Sequence, residues 1–191
     1  MLKSDMEIKR LNKKSLLIKG KKESLLINPE SETKQTARIH LFSETRNIMT
    51  ETDNAVVIAG PGEYEVGGIE ITGIKTGDTG GLFYIIYVDG VRVGLVSQLT
   101  EQLSDKKIEK VGEVDVLLAD VGEENGGKAK IIINMAKKLG ANYVIPYGYS
   151  LGSESLKSFL DETDNEGKEP VEVLKVEKLE LPEGMEVVLL G

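Results

Sequence analysis

The sequence has no cysteine, no tryptophan and one histidine, His40. Each shortage removes a class of chemistry. Without cysteine there is no disulfide, no iron–sulfur cluster, no thiolate-bound zinc and no thiol nucleophile. A lone imidazole cannot build a multi-histidine metal centre within one chain. No apolar run reaches the ~20 residues of a membrane helix; the longest, around Leu82 to Val88, has the length of a strand. The opening Met1-Leu2-Lys3-Ser4-Asp5-Met6 carries charge at once and lacks the apolar stretch of a signal peptide. The expectation is a cytoplasmic protein without membrane attachment.

What is present is ordinary for a globular chain: 191 residues, 40% hydrophobic, 29% charged, net charge −8. This length predicts one domain over residues 1–191, large enough to bury a core without covalent staples. Charge is unevenly spread. Residues 1–26 hold eight basic groups against three acidic, and residues 161–191 hold ten acidic against three basic. The pattern reads as two solvated faces that attract each other, with an anion or nucleic-acid patch as the alternative. The acidic total repels DNA, and the basic stretch has no aromatic residue to stack on bases.

The first half reads as strands. Lys14–Lys19 and Ser24–Ile27 flank a glycine-containing turn, Gly20-Lys21-Lys22-Glu23. Ala37–Phe42, Ala55–Ala59 and Ile69–Ile74 follow, the last alternating with period two. Leu82–Val88 and Val91–Val96 flank Asp89-Gly90, a strong hairpin signal. The second half alternates strands and helices. Val114–Ala119 is a short apolar strand, and Lys128–Leu139 repeats apolar residues at helical spacing before Gly140. Tyr143–Pro146 is a strand, and Ser153 caps a helix with apolar side Leu156, Phe159 and Leu160. Asp161–Pro170 reads as a loop, with final strands at Val171–Val176 and Glu186–Leu190. Hairpins followed by β-α-β units predict an α/β sandwich with sheets inside and helices outside.

Three constellations could carry chemistry. Gly122–Ala129 nearly fits the phosphate-loop pattern G-x-x-x-x-G-K-[ST] between a strand and a helix. Ala129 stands where a hydroxyl should reach Mg²⁺, and Glu123 and Glu124 bring negative charge into the loop. Pro61–Gly68 marks a tight turn centred on Gly62, Glu63 and Tyr64. Glu63 and Glu65 share a face there, either as an acid/base or metal pair or as acceptors for turn N–H groups. His40 lies mid-strand, and no G-x-S-x-G nucleophile elbow occurs.

The Pro61–Gly68 tract and the order of elements resemble the metallo-β-lactamase-fold family of metal-dependent hydrolases, particularly its short bacterial members. Leu16–Gly20 through Leu26-Ile27-Asn28-Pro29 resembles the opening hairpin, which in the family ends in Asp-Pro. Pro61–Glu65 followed by Ile71–Ile74 is the most specific phrase. Gly112–Leu118 with Val121-Gly122, Ala141–Pro146, and Lys178–Pro182 through Val187–Leu190 resemble the later core strands and the closing segment. The resemblance implies an αββα four-layer sandwich of two facing mixed sheets with outer helices. It also implies histidines and carboxylates at strand ends holding one or two metal ions, whose bound water attacks an ester, amide or phosphodiester.

The ligand motifs are missing. Where H-x-H-x-D-H should follow Phe42 stand Glu44-Thr45-Arg46-Asn47-Ile48-Met49. The G-H-S phrase is replaced by Asn12-Lys13-Lys14, H-L-G-D falls on Leu95-Val96-Ser97-Gln98, and the last histidine falls on Gly148. The sequence therefore predicts a metal-free, non-catalytic relative of these hydrolases, without cofactor, acting in binding, scaffolding or regulation. Its former site, lined by Lys13, Lys14, Glu44, Arg46, Gln98 and Tyr147, is either filled in or open to a small anionic ligand. One alternative is a hydrolase with a rebuilt carboxylate site using Glu63, Glu65 or Asp78. Another is nucleotide binding through Gly122–Lys128. Self-association or a protein partner, through an outer helix or an edge strand, is the third reading.

Overall fold

The structure, a computed structural model, describes residues 6–44, 54–77, 81–99, 101–122 and 128–191. Two mixed sheets face each other. The six-stranded sheet runs in the order β12-β1-β2-β3-β4-β5: β1 (Met6–Arg10), β2 (Leu16–Lys19), β3 (Ser24–Ile27), β4 (Ile39–Leu41), β5 (Val56–Ile58) and β12 (Val173–Val176). The seven-stranded sheet runs in the order β13-β11-β10-β9-β8-β7-β6: β6 (Gly62–Val66), β7 (Ile69–Lys75), β8 (Leu82–Val88), β9 (Val91–Val96), β10 (Val116–Asp120), β11 (Tyr143–Tyr147) and β13 (Glu186–Val187). Hairpins and the long-range β1–β12 pair make the antiparallel part of the sheets; β3-β4-β5 and β9-β10-β11-β13 are parallel.

Alternation decides what each strand buries. Ile8, Ile18, Leu25 and Ile39 of one sheet meet Ile71, Tyr84, Val93 and Leu118 of the other in the apolar layer between them. The outer face of the seven-stranded sheet forms a second apolar layer. It is covered by α1 (Asp105–Val111), α2 (Ala129–Lys138) and α3 (Glu154–Asp161). Helix α2 buries Ile132, Met135 and Ala136, and Gly140 ends it with φ +64 while the Ala141 N–H returns to the Ala136 carbonyl at 3.0 Å. Ser153 caps α3 by accepting the Leu156 N–H. Among the described residues all three helices lie on the seven-stranded side, and none is long and apolar enough to cross a membrane.

One reading of the sequence changes. Gly62, Glu63 and Tyr64 are not the turn but part of strand β6, paired with Gly73, Thr72 and Ile71. The turn follows at Gly67-Gly68, where φ values of +62 and +88 give the twist a tight hairpin needs. Strand β1 and helix α1 were not anticipated: β1 does alternate, Met6 and Ile8 in, Glu7 and Lys9 out, whereas α1 is short and buries only Val111 fully. The uneven charge finds a structural use. Basic β1 pairs with β12 of the acidic region, and Lys9 Nζ meets Glu172 Oε1 at 2.6 Å.

Candidate functional site

Several strands of both sheets end along one edge of the sandwich. Chain geometry alone brings Asn28 (after β3), Ser43 and Glu44 (after β4), Ser97 and Gln98 (after β9), Asp120 (end of β10) and Gly148 (after β11) to that edge. The β1–β2 loop joins them, because the Gly148 N–H donates to the Lys13 carbonyl at 2.8 Å. Four of the five buried polar or charged residues among the described ones belong to this edge: Ser15, Ser43, Ser97 and Asp120. A folded protein places polar groups inside only where partners await them, so the clustering marks a built feature.

The partners are specific. Ser97 Oγ donates to the Ser43 carbonyl at 2.7 Å, from one sheet to the other. Asn28 faces Ser43 with both ends of its amide: Oδ1 accepts the Ser43 N–H at 2.9 Å, and Nδ2 donates to Ser43 Oγ at 2.9 Å. Ser15 Oγ donates to the Asn28 carbonyl at 2.6 Å. Asp120 Oδ1 accepts the Gly122 N–H at 2.9 Å. Lys14 Nζ meets Glu44 Oε1 at 3.1 Å, both side chains partly exposed.

Tyr147 is fully buried and donates to the Val96 carbonyl at 3.3 Å. It forms the floor beneath this edge rather than a surface open to a ligand, which corrects its expected place in the cleft lining; its ring packs in the layer between the sheets. Burial holds its phenol well above the usual value; the nearby Asp120 carboxylate adds to this, the Ser43 side chain opposes it, and Glu44 adds a smaller push. Tyr147 is therefore a neutral donor, not a base.

The other candidates divide between this edge and more distant places. Gln98 stands at this edge with φ +48, and Lys13 is exposed in the β1–β2 loop. Arg46 and Asp78 lie outside the described residues, as does the 123–127 part of the phosphate-loop-like stretch. The N–H at the head of that stretch, on Gly122, is turned to Asp120. Glu63 and Glu65 sit on β6, the last strand of its sheet. Glu65 accepts the Gly68 N–H at 2.9 Å, which is the turn-satisfying role. His40 alternates with the inward Ile39 and Leu41, so it points to the outer face of its sheet. Sequence reasoning missed Asn28, Ser43, Ser97 and Asp120. The sequence signals were Asn28 in place of the family's aspartate, Ser97 within the stretch that falls on H-L-G-D, and a carboxylate ending the apolar run Val116–Ala119.

The residues present can be weighed against a metal ion. Catalytic zinc takes three protein ligands with lone pairs aimed at one point. Here the Glu44 carboxylate holds an ammonium group and Asp120 Oδ1 holds a backbone N–H. Among the described residues no three His, Cys, Asp or Glu side chains stand where they could share an ion. This donor set does not fit the family's metal.

Paired mixed sheets with a polar strand-end edge define the metallo-β-lactamase sandwich. The sequence model described as a beta-lactamase superfamily domain matches residues 7–148, and the chain belongs to that superfamily. Among solved structures, it is similar to a candidate Zn-dependent hydrolase of the metallo-β-lactamase superfamily from Thermotoga maritima, with 24% identity, a TM-score of 0.80, and 97% and 98% of the two chains covered. It is similar to a candidate metal-dependent hydrolase from Parabacteroides distasonis at 14% identity and TM-score 0.65, covering 98% and 94%. A third likeness is to the metallo-β-lactamase-fold protein YhfI from Bacillus subtilis, at 12% identity and TM-score 0.63, covering 97% and 96%. At these identities the likeness is one of fold. No curated protein matches the sequence.

Proposed function

We propose that this chain is a non-catalytic, metal-free member of the superfamily that works by binding, as a scaffold or regulator. The observation that carries the reading is the Lys14–Glu44 pair. The one carboxylate of the 44–49 segment, at the family's ligand motif, is matched with a lysine ammonium at 3.1 Å. A cation there would have to displace a charge of its own sign. The Ser97–Ser43 and Asn28–Ser43 hydrogen bonds support the same reading, since they engage the polar groups of these strand ends with one another. The test is metal analysis of protein produced with added Zn²⁺ and Mn²⁺, alongside esterase and phosphodiesterase assays. Sub-stoichiometric metal and no chelator-sensitive turnover are expected. One tightly bound metal per chain, or hydrolysis abolished by EDTA, would overturn the reading.

A further inference from the structure

Gly148 falls where the superfamily pattern has its last histidine ligand, and the Asp120 side chain lies against it. Strands β10 and β11 run parallel with Asp120 in register with Tyr147, the residue before Gly148. A Cβ built on Gly148 would overlap Asp120 Oδ1 and lie 3.0 Å from Asp120 Cγ. Gly148 also has φ +82, which a side chain resists for its own reasons. A second glycine completes the seat: a Cβ on Gly122 would lie 2.7 Å from the Gly148 carbonyl oxygen and 3.1 Å from Asp120 Oδ1. The Gly122 N–H meanwhile binds that same Oδ1 at 2.9 Å. Asp120 is 6% exposed.

We propose that Asp120, seated between Gly122 and Gly148, fills the place of the last metal ligand, so that position 148 can accept no side chain while Asp120 is present. The change from hydrolase-type site to closed edge would then be a coupled exchange and not a mere loss: a histidine restored at 148 alone has nowhere to go. This rests on the metal-free reading above, and it adds the residue that enforces it.

The test is a double-mutant cycle of Gly148→Ala and Asp120→Ala, followed by urea unfolding. Left-handed backbone strain at 148 is common to both backgrounds and cancels. Gly148→Ala should raise the unfolding constant by more than about a hundredfold when Asp120 is present, or leave the protein unfolded. In the Asp120→Ala background the same change should cost about tenfold, the strain alone. Asp120→Ser, which keeps an acceptor for the Gly122 N–H, serves as a second background if Asp120→Ala does not fold. Equal costs in the two backgrounds, or failure of the double variants to fold, would overturn the proposal, because the obstacle would then be the backbone and not Asp120. Zinc content of the unaltered protein is measured in parallel. Bound zinc with the coupling intact would defeat the metal-free reading alone, and additive variants without zinc would defeat this inference alone.

Discussion

Ser97 Oγ lies 2.7 Å from the Ser43 carbonyl oxygen, and the bond joins the end of β9 in one sheet to the end of β4 in the other. Both residues are almost wholly shielded from water. In a dry setting the loss of a donor leaves its acceptor with the full cost of desolvation. Ser97→Ala should therefore destabilise the protein by about 1–3 kcal/mol. Urea unfolding reads this as a lower midpoint with an unchanged slope. No change would mean that this bond contributes nothing to holding the two sheets together.

Asn28 combines two demands at one position. Its φ of +47 lies in the left-handed region, where asparagine is among the tolerated side chains, and its amide satisfies Ser43 twice. Asn28→Ala should lose both and cost about 2–4 kcal/mol. Asn28→Gly relieves the backbone and keeps only the lost hydrogen bonds, so it should cost about 1–3 kcal/mol. A glycine variant as stable as the parent would assign the whole effect to conformation.

Arg10 is a clamp across the same molecule. Its guanidinium donates to the Tyr149, Asn12 and Leu190 carbonyls at 2.7, 2.9 and 3.3 Å and stacks 4.3 Å from the Tyr149 ring centroid. A lysine ammonium cannot reach three divergent carbonyls and lie flat on a ring at once. Arg10→Lys should cost about 1.5–3 kcal/mol, measured by thermal or urea unfolding. A loss no larger than that of an exposed lysine substitution would show the clamp to be redundant.

Tyr84 and Tyr147, two of the three fully buried phenols among the described residues, predict alkaline behaviour. Burial raises Tyr84 and Tyr147 above the ordinary value of 10.0; Tyr64 adds to the first and Asp120 to the second. Above that value the unfolded chain releases protons that the folded chain keeps, so stability falls as pH rises. Tyrosine absorbance should show these two groups ionising only together with unfolding. Tyr147→Phe should reduce the slope of stability against pH above about 10. Independent titration of all phenols near the ordinary value would contradict the burial.

The sequence made some of this legible through local rules. The Asp89-Gly90 hairpin has φ values of +50 and +85, as a primed turn requires, and the apolar spacing of α2 matches its buried face. The β6 strand was obscured because Pro61, Gly62, Gly67 and Gly68 surround it with turn residues. The ligand losses were visible residue by residue. What replaced them was not, because Ser43, Ser97 and Asp120 acquire meaning only when distant strand ends meet. A serine at a strand end looks the same in sequence whether it faces water or a carbonyl in the opposite sheet.

The pairing of β1 with β12 carries a kinetic consequence. Met6 lies opposite Val176, so the sheet that contains the first described strand stays open on that side until almost the whole chain is available. Closing so long a loop is slow relative to forming the β7–β8–β9 meander, whose partners are neighbours in sequence. The seven-stranded sheet should thus gain protection from hydrogen exchange first during refolding. The β1–β12 amides should follow last, leaving β1 as a transiently bare edge and the point at which folding and aggregation compete.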